Sequence, residues 1–122
     1  MKRLAILAAA LAAGLLALPQ GAAAHARLKR AEPRAGTTVP TSPKVLKLWF
    51  SEAVEPAFST VEVLDPAGKR VAIGKAHLDA ADRTLLETPL PPLAPGRYKI
   101  LWRALSVDTH KTHGSFTFTV AP

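Results

Sequence analysis

The sequence contains no cysteine, and its single methionine is Met1. No disulfide can stabilise the fold, so a small domain of this kind must rely on its apolar core. Beyond residue 1 there is also no sulfur atom to act as a soft ligand, which excludes iron–sulfur clusters and removes the usual ligands of Cu(I). Any metal site in the remaining chain must therefore use nitrogen and oxygen.

Long segments whose apolar residues recur at helical spacing are lacking as well. Eleven prolines and short alternating apolar runs favour strands over helices. The clearest run is KVLKLWF at 44–50, in which Leu46, Leu48 and Phe50 share one apolar face. Further strands are predicted at 59–73, as a hairpin around the turn Asp65–Gly68, at 82–88, at 97–106 with Tyr98, Ile100, Trp102 and Ala104 on one face, and at 114–120 with Phe116, Phe118 and Val120 inward.

This pattern of six or seven short strands between proline and glycine turns predicts an all-β protein. The expected architecture is a Greek-key β-barrel or Ig-like β-sandwich of about seven strands. No internal repeat or linker divides the chain. We therefore expect a single domain.

The leading segment has the features of a secretory signal. Lys2 and Arg3 precede an apolar stretch at 4–18, and small residues follow at 22–24, as an A-x-A cleavage site requires. The stretch of about 15 residues is short for a bilayer span, which needs roughly 20. We predict a signal peptide at 1–24 and an exported domain at 25–122. Cleavage after Ala24 leaves His25 first, whereas cleavage after Ala23 or Ala26 does not.

The charge of the exported domain is positive but dispersed. Of the 16 basic residues of the chain, Lys2 and Arg3 lie in the signal, and the other 14 exceed the 9 acidic residues by 5. A nucleic-acid surface needs clustered basic residues with stacking aromatics. Here the aromatics alternate with apolar residues as core residues do, so we expect no nucleic-acid partner.

Candidate metal ligands lie in SVDTHKTHGSF at 106–116. Asp108 and His110 are two residues apart and would project to the same side of an extended backbone, whereas His113 would point the other way. A polar loop with solvated histidines has the same spacing. The metal interpretation gains support from His25, because a free N-terminal histidine offers its α-amine and its ring to one ion.

Together these donors would form a nitrogen and oxygen set suited to tetragonal Cu(II), and Zn(II) or Ni(II) could use the same ligands. Glu52 and Glu55 in SEAVEP are typical of a solvated loop, although Glu52 could be an outer carboxylate near the metal. The G-x-S-x-G signature of a serine hydrolase is absent.

Several motifs occur together along the chain: the histidine after the predicted signal, a P-x-x-G turn at 33–36, FSE at 50–52, LAPGRYKILWRALSVDTH at 93–110 and a closing G-x-F-x-F-x-V. In this combination the chain closely resembles the CopC family of periplasmic copper-resistance proteins. The resemblance implies a seven-stranded Greek-key β-barrel that binds one Cu(II), with the amine and imidazole of His25, the ring of His110 and the carboxylate of Asp108 as ligands. Glu52 lies near copper in some members, and we expect His113 to be exposed.

One departure from the family concerns Cu(I). Some relatives carry a methionine-rich Cu(I) site, which a chain without methionine beyond Met1 cannot form. The resemblance thus implies a monomeric, periplasmic Cu(II)-only protein of copper homeostasis and resistance. It would buffer copper or pass it to a CopD-type inner-membrane partner, and it would not be an enzyme.

Two alternatives predict other behaviour. A histidine-brace oxidative enzyme resembling a polysaccharide monooxygenase would share the ligands but needs an open copper position and a flat aromatic face. A structural Ig-like module with incidental histidines would bind copper only as a peptide does.

Overall fold

The computed structural model describes residues 26–122. The predicted signal peptide and His25 lie outside the described residues. The described chain forms eight strands and a short 3₁₀ turn at Pro56–Phe58. The strands are β1 (Leu28–Glu32), β2 (Thr38–Val39), β3 (Val45–Phe50), β4 (Thr60–Leu64), β5 (His77–Leu78), β6 (Leu85–Pro89), β7 (Gly96–Leu105) and β8 (Lys111–Val120).

The strands make two four-stranded sheets. One sheet has the order β1-β3-β6-β5, and the other has the order β2-β8-β7-β4. All neighbours are antiparallel except β2 and β8, which are parallel. The all-β sandwich expected from the sequence is confirmed. No helix in residues 26–122 is long and apolar enough to cross a membrane.

The core lies between the sheets and consists of the alternating faces that the sequence predicts. Leu46, Leu48 and Phe50 of β3 are buried. They face the buried residues of β7, which are Tyr98, Ile100, Trp102 and Ala104. In β8, Phe118 and Val120 are buried, and Phe116 is partly buried against the same core. Full burial of one such large side chain contributes about 1.5–3 kcal/mol to stability.

Three predicted boundaries were wrong. The second arm of the 59–73 hairpin is not a regular strand. It contacts β4 through a bridge at Arg70, a hydrogen bond at Val71 and the Arg70–Glu62 ion pair. Asp82 to Thr84 form a turn before β6, in which the Asp82 carboxylate accepts the Thr84 amide at 2.9 Å. Finally, β8 begins at Lys111, so that His113 lies in a strand and not in a loop.

Gly114 of β8 leaves room for the indole of Trp102, which lies opposite it on β7. A Cβ added at Gly114 would be 2.6 Å from Cζ2 of Trp102, and the indole also packs edge-on against Phe50 at a centroid distance of 5.3 Å.

We expect Gly114→Ala to destabilise the fold by about 1–3 kcal/mol, because the buried indole of Trp102 would have to move to make room for the new methyl group. Urea denaturation followed by tryptophan fluorescence measures the loss. Ser115→Ala, one residue along on the exposed side, is the control, and an equal loss there would contradict the packing argument.

Candidate metal centre

The loop between β7 and β8 is a tight turn, and it carries two of the predicted ligands. The Ser106 amide donates to the His110 carbonyl at 3.0 Å, and the Thr109 amide donates to the Ser106 carbonyl at 2.8 Å. Thr109 takes a φ of 72°, the left-handed region that reverses a chain within few residues. Asp108 and His110 are thus held on a closed turn.

Buried Ser106 holds the side chain of Asp108 and the backbone of His110. Its hydroxyl donates to Asp108 Oδ1 and accepts the His110 amide at 3.1 Å. Asp108 Oδ1 lies 3.3 Å from Nδ1 of His110. The expected proximity of Asp108 and His110 is therefore present, but it arises from the turn and not from extended backbone. Sequence reasoning missed Ser106 as a positioning residue, because the partners of its hydroxyl are set by the conformation of the turn.

The same contacts set the charge of Asp108. The hydrogen bond from Ser106 is the main cause that lowers the pKa of the Asp108 carboxyl, whereas partial burial opposes the shift. The hydrogen bond and charge of His110 lower this pKa further, and an interaction with Glu52 makes a smaller contribution. The carboxylate is consequently kept in the ionised form that binds a cation.

Glu52 reaches this position because its loop is tied to the end of β7. The Glu55 amide donates to the Leu105 carbonyl at 2.8 Å, and the Val107 amide donates to the Ala53 carbonyl at 3.1 Å. These bonds place the Glu52 carboxyl beside Asp108. Glu55 instead precedes the 3₁₀ turn, so the two glutamates of SEAVEP do not form a pair at the site.

The first described residues are attached to the same end of the sandwich. Ala26 is fully buried, and its carbonyl accepts the Thr112 hydroxyl at 2.7 Å. The Arg27 amide donates to Ser51 Oγ at 2.8 Å, and the Ser51 amide donates to the Arg27 carbonyl at 2.8 Å. The chain at 26–27 therefore lies between Ser51, which is adjacent to Glu52, and Thr112, which is two residues after His110.

The remaining histidines are not part of this group. His113 is exposed on the outer face of β8, opposite Arg103 of β7, and His77 lies on β5 in the other sheet. Across residues 26–122, no three His, Asp or Glu side chains are arranged to hold a metal ion on their own. The turn thus brings two predicted donors together, Asp108 and His110, and the third, His25, is outside the described residues.

Comparisons with known proteins identify the family. The sequence profile of the CopC domain matches residues 28–121. The chain belongs to the CopC family. It is 37% identical over 117 residues to copper resistance protein C of Pseudomonas syringae pv. tomato, covering 89% of this chain and 90% of that protein. It is also 38% identical over 98 residues to protein YobA of Escherichia coli strain K12, covering 80% and 79%.

Solved structures of CopC-family proteins share the fold. The structure of CopC from Methylosinus trichosporium OB3b superposes with a TM-score of 0.76 at 41% identity, covering 80% of this chain and 95% of that chain. PcoC, a methionine-rich copper resistance protein from Escherichia coli, gives 0.72 at 35% identity, covering 80% and 99%. The assignment to the CopC family identifies the chain as a binding protein and not an enzyme, as the sequence led us to expect.

Ser106→Ala should release Asp108 and raise the pKa of its carboxyl, because the main hydrogen bond that stabilises the ionised form is lost. We expect the substitution to destabilise the fold near neutral pH, because the His110 amide also loses its acceptor. A carboxyl with a lowered folded pKa stabilises the fold above its unfolded pKa and loses that effect in acid.

The difference in unfolding free energy between wild type and Ser106→Ala should therefore be smaller at about pH 3 than at about pH 7. Urea denaturation at both pH values, with NMR titration of Asp108, measures it. A difference that is constant with pH would contradict the role of Ser106.

Proposed function

We propose that this CopC-family chain is a periplasmic protein that binds one Cu(II) ion for copper homeostasis and resistance. In this proposal residues 1–24 are a signal peptide, and the exported domain begins at His25. The observation that carries the proposal is the turn that holds an ionised Asp108 3.3 Å from His110, next to the point where the chain after His25 is fastened.

The proposed ligands are the α-amine and imidazole of His25, the imidazole of His110 and the carboxylate of Asp108, with Glu52 as an outer carboxylate. Nitrogen and oxygen donors of this kind suit Cu(II), which they bind more tightly than other divalent ions of the series. The copper-resistance proteins among the relatives support copper over Zn(II) or Ni(II).

The attachment of Ala26 supports a contribution from His25. His25 is joined by a peptide bond to Ala26, and consecutive Cα atoms in a chain are about 3.8 Å apart. The carbonyl of Ala26 accepts a hydrogen bond from Thr112. Thr112 is two residues from His110. The attachment of Ala26 beside this turn supports a contribution from His25 to the donor set.

A Cu(II)-only function follows from the donor types. The exported chain has no methionine or cysteine, whereas PcoC is described as methionine-rich. We propose that the protein is a monomer that buffers Cu(II) or passes it to a CopD-type inner-membrane partner. Copper should dissociate in acid, because the amine and both imidazoles must lose protons to coordinate.

The test begins with N-terminal sequencing and intact mass of the exported protein, followed by a Cu(II) competition titration of the same sample. We expect a chain that starts at His25 and binds one Cu(II) far more tightly than a peptide of residues 25–30. A different terminus, or affinity equal to that of the peptide, would overturn the proposal.

A further inference from the structure

The outer face of the β4-β7-β8 sheet is strongly basic. Arg97, Lys99 and Arg103 alternate along the exposed side of β7, and Lys111 of β8 pairs with the end of the same strand. Among the described residues, none of these four makes an ion pair. The acidic residue of this face is Glu62 of β4, which is paired with Arg70 at 3.3 Å. We call this surface the basic face.

The outer face of the other sheet is different because acidic and basic residues lie opposite each other across its strands. Glu32 of β1 lies opposite Lys47 of β3 and within 3.4 Å of Arg30, and Lys47 also lies opposite Glu87 of β6. Positive charge is therefore concentrated on one side of the sandwich. A concentration of unpaired charge of one sign attracts a partner of the opposite sign and steers its approach.

The end of the basic face nearest the candidate metal centre also has an apolar groove. The groove has a volume of about 390 Å³ and lies between Phe58, Leu105 and His113. Phe58 is 70% exposed, although it is a large apolar side chain. Arg103 and Lys111 line the same groove. An exposed aromatic beside unpaired positive charges is the composition expected of an interaction site.

We propose that the basic face is a docking site for an acidic protein segment, whose carboxylates contact Arg97, Lys99, Arg103 and Lys111 and whose apolar side chain enters the groove at Phe58. A concave groove accepts a side chain that projects from a protein, whereas the flat surface of a lipid bilayer cannot fill it. The unpaired basic residues supply the complementarity that an acidic partner needs.

The position of the groove links docking to metal exchange. Leu105 directly precedes Ser106, and Lys111 directly follows His110. A partner in the groove would therefore lie beside the turn that carries Asp108 and His110. This consequence rests on the proposed copper function, whereas docking itself does not require copper.

A synthetic peptide of glutamates around a single leucine, capped at both ends, tests the proposal without copper. We expect it to bind the exported protein in a fluorescence anisotropy titration and to shift backbone amide resonances of β7 and β8 but not of β1 and β3. Lys99→Gln with Arg103→Gln should raise Kd by about fivefold for each charge removed, the upper range for exposed ion pairs. Phe58→Ser should raise Kd by about tenfold through loss of apolar contact.

Lys44→Gln with Lys75→Gln is the matched control, because it removes the same charge from exposed positions outside the basic face. It should change Kd less than twofold. Equal weakening by the two double variants, or amide shifts on β1 and β3, would overturn the proposal by showing a response to net charge alone.

Vesicles of phosphatidylglycerol provide the comparison with a membrane. Binding to vesicles that depends on Lys99 and Arg103, together with peptide binding that does not, would overturn the proposal in favour of a lipid surface. Cu(II) affinity of the Lys99→Gln, Arg103→Gln variant should equal that of wild type, because neither residue is a proposed ligand. Failed docking with intact copper binding would thus reject the docking site and leave the copper function in place.

Discussion

Replacing His110 with alanine should weaken Cu(II) binding by about a hundredfold or more, whereas His113→Ala should leave the affinity unchanged. Loss of a group that only supports a ligand costs 10- to 100-fold in metal affinity as a rule, and loss of a ligand itself should cost at least as much. His110 lies 3.3 Å from Asp108 on the same turn. His113 is exposed on β8 opposite Arg103.

A competition titration with a chelator measures both variants under one set of conditions. His113→Ala is a matched control because it removes the same side chain three residues away. Electron paramagnetic resonance should also show fewer coordinated nitrogens in His110→Ala and an unchanged spectrum in His113→Ala. Equal affinity losses would contradict the assignment of His110, and a loss confined to His113→Ala would transfer the site to the outer face of β8.

Adding one alanine ahead of His25 should reduce Cu(II) affinity by a comparable factor of about a hundred or more. The addition converts the α-amine into an amide, which is a poor metal donor, and moves the new amine away from the imidazole. The side chains of Asp108, His110 and His25 are all retained. Because chain length, charge and composition hardly change, the loss would report on the amine alone.

The extended chain should be produced with its terminus confirmed by intact mass and then titrated beside wild type. His25→Ala, which keeps an amine at position 25 and removes the imidazole, separates the two donors of that residue. The same addition of one alanine after Pro122 is the control. Wild-type affinity in the N-terminally extended chain would show that the amine is not a ligand.

The sequence predicted the strands best where alternation is long and one face is wholly apolar. KVLKLWF and RYKILWRALS each became one strand with the predicted buried face, because burial of one face fixes the register. The same reasoning failed where a short arm could not bury a face. Residues 69–73 form no regular strand and contact β4 through a bridge, a hydrogen bond and an ion pair, and β5, which has two residues, gave no pattern to detect.

The candidate site was less predictable because turns depend on side-chain hydrogen bonds between residues that no period relates. Asp108 and His110 were predicted to be close, but on the basis of extended backbone that the chain does not adopt. Ser106, Ser51 and Thr112 were missed as positioning residues because their partners lie on other strands or across a turn. The metal ligands remain a prediction that the copper titrations test.

If residues 1–24 are removed as proposed, the burial of Ala26 makes the stability of the domain depend on which of the three candidate bonds is cut. Cuts after Ala23 and Ala24 leave the sandwich whole. A cut after Ala26 removes a core methyl group and the carbonyl that accepts from Thr112, a loss of about 1–2 kcal/mol. Overtrimmed molecules would be less stable and would be degraded preferentially, whereas a chain one residue too long at its start would fold normally. Proteolysis of unstable chains would thus remove molecules cut after Ala26 but not those cut after Ala23.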